Sequence, residues 1–290
     1  MRVAVASGKG GTGKTTIATS LALSLAHGGD GRPPPLLLDC DVEAPNAHIY
    51  LKPVIRRRQT VSVGIPRLDP LACTHCGRCV EVCQYHALAL LGETLLVFPQ
   101  LCHGCGSCIR QCPEAALSEA EHPIGVLEGG STRSGVRFAR GVLNIGEPMA
   151  GPVIRALKAW APPAPGQVVI LDAPPGTSCP MVEVVRGADL LLLVTEPTPF
   201  GLHDLRLAVE VGRLLRLRTG VVLNRDGIGD QAVERYCADE GLPILMRIPF
   251  ERAIAEGTAR GQPLIDIDPG YAADFERLAD AVRQTAGVRP

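Results

Sequence analysis

The segment at positions 8–15 brings together the residue types that hold phosphate groups. It reads Gly8-Lys9-Gly10-Gly11-Thr12-Gly13-Lys14-Thr15 and follows a short apolar run at 3–6. Glycines let such a loop turn its backbone N–H groups toward phosphate oxygens, and a helix that starts there adds a partial positive charge. The spacing G-x-x-x-x-G-K-T between a strand and a helix therefore predicts a loop that binds the phosphates of a nucleotide.

Two residues of this loop are expected to carry the chemistry. We predict that Lys14 reaches the β- and γ-phosphates and that the Thr15 hydroxyl binds Mg²⁺. A chance glycine-rich turn is the alternative, and the strand–loop–helix context disfavours it. The predicted nucleotide-binding residues of the loop are Gly8, Gly10, Gly11, Thr12, Gly13, Lys14, Thr15 and Thr16.

Eight of the eleven cysteines fall into two runs with identical spacing. In each run three cysteines are separated by two residues, and a fourth follows after three more. This is the spacing of bacterial ferredoxins with two clusters, in which the fourth cysteine of one run binds the other cluster. We predict one 4Fe–4S cluster held by Cys73, Cys76, Cys79 and Cys112, and a second held by Cys102, Cys105, Cys108 and Cys83.

Zinc is the alternative occupant of these cysteines, because thiolates also bind zinc. Zinc sites use four ligands with a long gap between two pairs, so eight cysteines at this spacing favour clusters. Gln84 stands where the ferredoxin pattern usually has proline, which removes no ligand.

The composition narrows the class of protein. The 290 residues are 46% hydrophobic with a formal net charge of −1, which does not favour a nucleic-acid or membrane partner. No stretch approaches the roughly 20 apolar residues of a membrane span, and the N-terminus has no apolar signal region. We therefore expect a cytoplasmic protein, in which clustered cysteines serve as metal ligands.

Strand-like and helical segments alternate along most of the chain, which predicts a doubly wound, mostly parallel α/β sheet. An insert at 55–134 is predicted to form a small α+β module of the bacterial ferredoxin type, between two parts of a P-loop nucleotide-binding domain at 1–54 and 135–290. Strands are expected at 3–6, 36–39, 95–98, 168–171, 190–194, 220–223 and 244–248. Helices are expected at 16–26 (ended by Gly28-Gly29), 203–217, 230–240 and 272–286.

Three aspartates stand at or just after the ends of predicted strands. Asp39 ends the second strand and Asp41 follows it, and Asp172 follows the strand at 168–171. In a parallel sheet these ends lie at the same edge as the phosphate loop, so the three acids are better explained as a Mg²⁺ site than as solvated strand ends.

The extra lysine in the phosphate loop carries a resemblance to a known class. The segment K-G-G-T-G-K-T, with Lys9 at its start, resembles the deviant Walker A loop of the MinD/ParA ATPases, which include the nitrogenase iron protein and iron–sulfur assembly ATPases. The resemblance implies ATP as the nucleotide, and it implies that Lys9 reaches across a homodimer to the nucleotide of the partner. It also assigns Pro249-Phe250 to a loop beside the base.

The same resemblance assigns roles to residues farther along the chain. It implies that Asp41 positions the attacking water, that Asp39 supports Mg²⁺ and that Asp172 holds its ligand shell. The Gly176 N–H would sense the γ-phosphate, and the Asn224 amide would read the adenine edge. Lys9, Lys14 and Asp41 are thus the expected catalytic residues.

Three cysteines lie outside the two runs. Cys179 follows Asp172 by seven residues, where the nitrogenase iron protein has a cysteine that bridges its dimer with a cluster. A metal site across a two-fold axis and a buried thiol are both open for Cys179. Cys40 is expected to point into the core, and Cys237 has no evident partner.

The apolar face of the last predicted helix, at 272–286, could pack on the sheet or bind a membrane. Acidic residues accompany the arginines around this face, so packing on the sheet is favoured.

The whole chain resembles MinD-class ATPases with an inserted ferredoxin domain. The resemblance implies ATP hydrolysis coupled to two clusters, in iron–sulfur or metal-cofactor assembly, with a partner protein from that process. The alternative is an ATP-gated carrier of low-potential electrons to a partner enzyme.

Overall fold

Eleven strands, eleven α-helices and one short 3-10 helix (Pro99–Leu101) are found in a computed structural model that describes residues 1–27 and 33–287. The strands are β1 (Arg2–Ala6), β2 (Leu36–Asp39), β3 (Val54–Leu68), β4 (Leu88–Leu91), β5 (Thr94–Val97), β6 (Leu117–Ser131), β7 (Arg137–Leu143), β8 (Val169–Asp172), β9 (Leu190–Thr195), β10 (Arg218–Asp226) and β11 (Ile244–Pro249). The helices are α1 (Lys14–His27), α2 (Ala47–Leu51), α3 (Arg78–Glu81), α4 (Ser107–Arg110), α5 (Ala150–Trp160), α6 (Cys179–Val185), α7 (Pro199–Leu214), α8 (Ala232–Asp239), α9 (Arg252–Ala259), α10 (Leu264–Ile267) and α11 (Gly270–Ala286).

Nine of the strands form one sheet in the order β11-β10-β9-β1-β8-β2-β7-β6-β3. Every neighbouring pair from β11 to β7 is parallel, whereas β6 and β3 continue the sheet antiparallel. The predicted α/β fold with a mostly parallel sheet is therefore confirmed. Because the seven parallel strands run the same way, their carboxyl ends share one edge of the sheet, where such folds bind ligands.

Helices cover both faces of the sheet and bury a separate apolar core on each side. One core includes residues of α5, α6, α7 and α8, and the other includes residues of α1, α2, α10 and α11. Covering both faces explains why the central strands are continuous apolar runs such as 190–194. In α11 the side chains of Phe275, Leu278 and Val282 are buried, so its apolar face packs on the sheet.

Every predicted strand is present, although several helices and one long pair of strands were not predicted. The pair is β3 and β6, each of 15 residues. Both strands contain internal glycines, and those near the end of β6 are closely packed. There Gly129 leaves room for the Trp160 ring, 2.9 Å from where a Cβ would lie, and Gly130 approaches the Val54 carbonyl. The expected helix end at Gly28-Gly29 lies outside the described residues.

The predicted insert contributes two strands to the main sheet. Residues 125–131 of β6 pair with both β7 and β3, whereas residues 117–123 pair with β3 alone. We call the two-stranded extension, residues 62–68 and 117–123, the stem, and we call residues 69–116 at its end the cysteine lobe. The lobe contains the β4–β5 hairpin, α3, α4 and a small core of its own.

No helix in the described ranges is both long enough and apolar enough to cross a lipid bilayer.

Candidate nucleotide and metal sites

The phosphate loop joins β1 to α1, as predicted, and its glycines are needed for steric reasons. Gly11 and Gly13 have φ of +77° and +92°, a region that favours glycine. A Cβ on Gly13 would lie 2.5 Å from Asn224 Nδ2, and one on Gly8 would lie 2.2 Å from the Asp204 carbonyl oxygen. The loop is therefore closely packed against β10 and α7, which fixes the direction of its N–H groups.

A cleft of about 490 Å³ opens beside the loop, a size typical of small-molecule sites. Lys14, Thr15 and Thr16 line it at the start of α1. Burial lowers the pKa of Lys14, while nearby Asp172 and Asp41 oppose that shift. The ammonium of Lys14 is thus poorly hydrated and faces two acids, which suits it to binding phosphate oxygens.

Two fully buried aspartates lie side by side near Lys14 and Asp41. Asp39 and Asp172 are register partners on the neighbouring strands β2 and β8. Asp39 accepts a hydrogen bond from the Ala47 N–H at 2.9 Å. Within the described residues the Asp172 oxygens have only the Thr15 hydroxyl nearby, which favours the charged form without a hydrogen bond of normal geometry. Burial raises the pKa of Asp172 to about 7, and burial together with Asp172 raises that of Asp39 well above its usual range. Orphaned buried carboxylate oxygens beside Thr15 fit the hard oxygen ligands that Mg²⁺ prefers.

Asp41 stands at the mouth of the same cleft. Burial raises its pKa, and the Lys14 ammonium opposes the shift. This position, nearer to solvent than Asp39 and Asp172, is compatible with a role toward water at the terminal phosphate.

Lys9 forms an ion pair within its own chain, with a residue that was not among the predicted site residues. Its ammonium forms an ion pair with Glu196, which follows β9 and is 5% exposed. Glu196 also accepts from Arg225 at 2.9 Å, and Arg225 donates to the Gly11 carbonyl at 3.2 Å. Glu196 and Arg225 thus tie the first part of the loop to β9 and β10. No local pattern could reveal this contact, because 187 positions separate Lys9 from Glu196.

Asn224 and Gly176 both reach the loop through hydrogen bonds. The Asn224 amide nitrogen donates to the Thr12 carbonyl at 2.8 Å, and its oxygen accepts from the Arg225 N–H at 2.9 Å. The Gly176 N–H donates to the Ser7 carbonyl at 3.0 Å. In this arrangement both groups brace the phosphate loop.

Part of the cleft wall is apolar. Phe250 lines it together with Tyr50, Ile254 and Leu264, and Pro249 is also part of its wall. Phe250 is 60% exposed, which leaves its ring free to contact a base. Tyr50, on α2, was not predicted, because α2 is only five residues long and has no periodic apolar pattern.

Two separate cavities in the cysteine lobe are lined by the two predicted sets of cysteines. Four cysteines surround each cavity, and no cysteine of one set lines the other. Backbone N–H groups orient some of the sulfurs, since Ala87 donates to Cys83 and Ala116 to Cys112, both at 3.3 Å. Within residues 1–27 and 33–287, no three His, Cys, Asp or Glu side chains form a group suited to a single metal ion. The cavity lining is Cys73, Cys76, Cys79 and Cys112 in one case, and Cys83, Cys102, Cys105 and Cys108 in the other.

The remaining cysteines differ sharply in exposure. Cys179 is exposed at the start of α6, so it is not the buried thiol that the sequence left open. Cys40 is fully buried, as expected, and burial raises its pKa well above the usual range. Cys237 is buried on α8, where desolvation raises its pKa to about 11. Of the three, only Cys179 is available to a metal at the surface.

The bracing contacts of Asn224 generate a testable prediction. Replacing Asn224 by Ala removes its bond to Thr12, so ATP and GTP should both bind about two- to tenfold more weakly, as expected for one lost hydrogen bond. Titration of each nucleotide against Asn224→Ala and against Gln59→Ala, an exposed amide on β3, would measure this. A loss confined to ATP would instead show that Asn224 reads the base.

Known proteins support this assignment of the cleft. The chain matches the CobQ/CobB/MinD/ParA nucleotide binding domain over residues 3–264. It is 30% identical to the uncharacterized protein MJ0578 of Methanocaldococcus jannaschii, with 98% of this chain and 97% of that protein covered. An iron-sulfur cluster carrier protein of Synechocystis is 24% identical, with 98% of this chain and 70% of that protein covered.

Solved structures share the fold. MinD of Pyrococcus horikoshii, complexed with Mg-ADP, superposes with a TM-score of 0.57 at 21% identity, covering 99% of this chain and 97% of that one. MinD in the MinC:MinD complex of Aquifex aeolicus gives 0.55 at 18% identity, with coverage of 100% and 97%. The family match extends over most of the chain and includes the phosphate loop, both buried aspartates and the cysteine runs. The chain therefore belongs to the CobQ/CobB/MinD/ParA family of nucleotide-binding domains.

Proposed function

We propose that this protein is a Mg²⁺-dependent ATPase that works as a homodimer and couples its nucleotide state to two 4Fe–4S clusters, in the assembly of iron–sulfur or other metal cofactors. One observation carries the proposal: a nucleotide cleft and two four-cysteine cavities belong to a single chain and are joined through one sheet. Free cysteines in this number suit the reducing cytoplasm.

The residues of the cleft can share the work of phosphoryl transfer. Lys14 and the loop N–H groups bind the phosphates, and the Thr15 hydroxyl with Asp39 and Asp172 would hold Mg²⁺ directly or through water. When bound, Mg²⁺ neutralises charge that develops on the phosphate oxygens. Asp41, at the cleft mouth, would orient the attacking water. Aromatic Phe250 offers a surface for the base.

The contact between Lys9 and Glu196 bears on the dimer. Lys9 is 31% exposed at its side chain and is held within its own chain. A role in the partner's site requires this ion pair to open, and the negative charge of a bound partner nucleotide is a suitable competitor for the ammonium. Aquifex aeolicus MinD, a fold relative, is known in complex with MinC.

Mixing two inactive variants tests the action of Lys9 across the dimer. Lys9→Ala and Asp41→Ala should each bind ATP but hydrolyse almost none. If Lys9 serves the partner's site, a mixed dimer has one complete site, so an equal mixture regains about a quarter of the wild-type rate, since half the dimers are mixed. A mixture as inactive as its components would place Lys9 in its own site.

Two features of the lobe support cluster binding. The cavity linings coincide with the two ligand sets expected from the spacing, in which the fourth cysteine of each run serves the other cavity. Backbone N–H groups of Ala87 and Ala116 also donate to the Cys83 and Cys112 sulfurs at 3.3 Å, and hydrogen bonds to sulfur are a feature of cluster sites. A 4Fe–4S cluster, when bound, takes up and gives back single electrons.

Anaerobic reconstitution with iron and sulfide tests the clusters. Wild-type protein should bind two 4Fe–4S clusters, seen by iron analysis, visible absorbance and EPR after reduction. Cys76→Ser and Cys105→Ser, each lacking one exposed ligand, should lose the signal of one cluster. Cys179→Ser is the control and should keep both. A wild-type chain that binds zinc in preference to iron, or no metal, would contradict the proposal.

Replacing Cys179 distinguishes cofactor assembly from the second candidate function, which is ATP-gated electron transfer to a partner enzyme. The exposed thiol seven residues after Asp172 favours metal handling, whereas two complete ligand sets inside one chain favour electron transfer. We expect Cys179→Ser to keep ATP binding and both lobe clusters but to lose transfer of a cluster to an apo-ferredoxin. Transfer at the wild-type rate would contradict a cluster-handling role and favour the electron carrier.

A further inference from the structure

We infer that the two clusters respond differently to the nucleotide: the one held by Cys83, Cys102, Cys105 and Cys108 senses it, and the other, which lies farther from the ATPase sheet, does not. The inference rests on the proposed function, since it assumes that both clusters are bound.

The register of the strands places the lobe on the nucleotide side of the sheet. β7 is parallel to β2, so its last residue, Leu143, lies at the carboxyl edge. Leu143 pairs with Gly125 of β6, which in turn pairs with Val61 of β3. The stem therefore continues past this edge, and its seven residues per strand extend about 23 Å at 3.3 Å per residue. The phosphate loop and the lobe thus share one side of the sheet.

Hydrogen bonds fasten the base of the stem to the segment that carries Asp41. The next residue, Val42, accepts at its carbonyl from the Leu143 N–H at 2.8 Å. Asn144 then donates its backbone N–H to the Ile124 carbonyl at 2.9 Å and its side-chain amide to the Pro123 carbonyl at 3.0 Å. A displacement of Asp41 on nucleotide binding is therefore transmitted to the stem through consecutive backbone contacts.

The cavity of the proposed sensing cluster touches the stem nearer its base. Gly64 and Pro66 of β3 line this cavity, whereas Leu68 and Leu117, the outermost stem residues, line the other. The positions along β3 therefore order the two clusters, with the sensing cluster closer to the ATPase sheet.

Gly104 shows how closely the second cysteine run packs against β3. Gly104, in the second cysteine run, has φ of +64°, and a Cβ there would lie 3.2 Å from the Gly64 carbonyl oxygen. The equivalent residue of the first run is His75, with a similar φ of +57°. The left-handed conformation thus accepts a side chain at His75. At Gly104 a side chain is disfavoured because it would contact β3. Motion of the stem would shift the backbone groups around the nearby cluster, which tune its potential.

An EPR-monitored redox titration of the full-length, reconstituted protein tests this assignment. Potentials are measured without nucleotide, with Mg-ADP and with Mg²⁺ plus a non-hydrolysable ATP analogue. In the wild type, one of the two reduction steps should shift with the analogue. Cys76→Ser should keep the shifting step, and Cys105→Ser should lose it. The reverse pattern or equal shifts of both steps would overturn the inference and leave the proposed function standing. No shift with two clusters present would overturn the inference and also contradict the proposed coupling of nucleotide state to the clusters.

A second pair of variants tests the contact without removing a ligand. Gly104→Ala should reduce the nucleotide-dependent shift, because its Cβ presses on Gly64, whereas His75→Ala should leave the shift at its wild-type size. Equal shifts in both variants would overturn the role of this contact. Iron analysis accompanies each titration, and a wild-type chain without clusters would sink the proposed function together with this inference.

Discussion

The carboxylates of Asp39 and Asp172 meet at the ends of neighbouring parallel strands, out of contact with water and close to the ammonium of Lys14. A buried negative charge is unfavourable unless a positive charge lies near it, and two neighbouring carboxylates also repel each other. The pair is therefore stabilised by a cation. A divalent ion and the phosphates of a nucleotide supply that compensation together. The parallel strand order and the phosphate loop are the parts of the fold that create this site.

The antiparallel edge of the sheet, formed by β6 and β3, carries the stem and the cysteine lobe. An outermost strand needs hydrogen-bond partners on one side only, so β3 tolerates Pro66, and β3 and β6 together run beyond the end of β7. The stem that results carries the cysteine lobe on the side where parallel sheets bind ligands. The nucleotide cleft and the cysteine cavities thus share one side of the sheet because of strand register, which links the cavity nearer the sheet to the segment around Asp41.

Most of the ATPase fold could be predicted because buried strands are simple to recognise. A strand covered on both faces, such as 190–194, is apolar throughout, and the phosphate loop has a fixed spacing. β3 and β6 were not predicted from the sequence because both contain internal glycine and proline, which are rare in strands. β3 also contains the charged run Arg56–Arg58. In β6 the glycines are required by packing, because the Trp160 ring and the Val54 carbonyl occupy the space that side chains at Gly129 and Gly130 would need.

The sequence by itself determined the chemistry that is available: a phosphate loop, acids at strand ends and two sets of four cysteines whose spacing already divides them between two cavities. Only the tertiary structure decided the pairing of Lys9 with Glu196, the bracing of the loop by Asn224 and the order of the two cavities along the stem. The physical reason is distance along the chain. Spacing fixes contacts within a turn or a loop, whereas contacts between residues far apart in sequence depend on strand order and register.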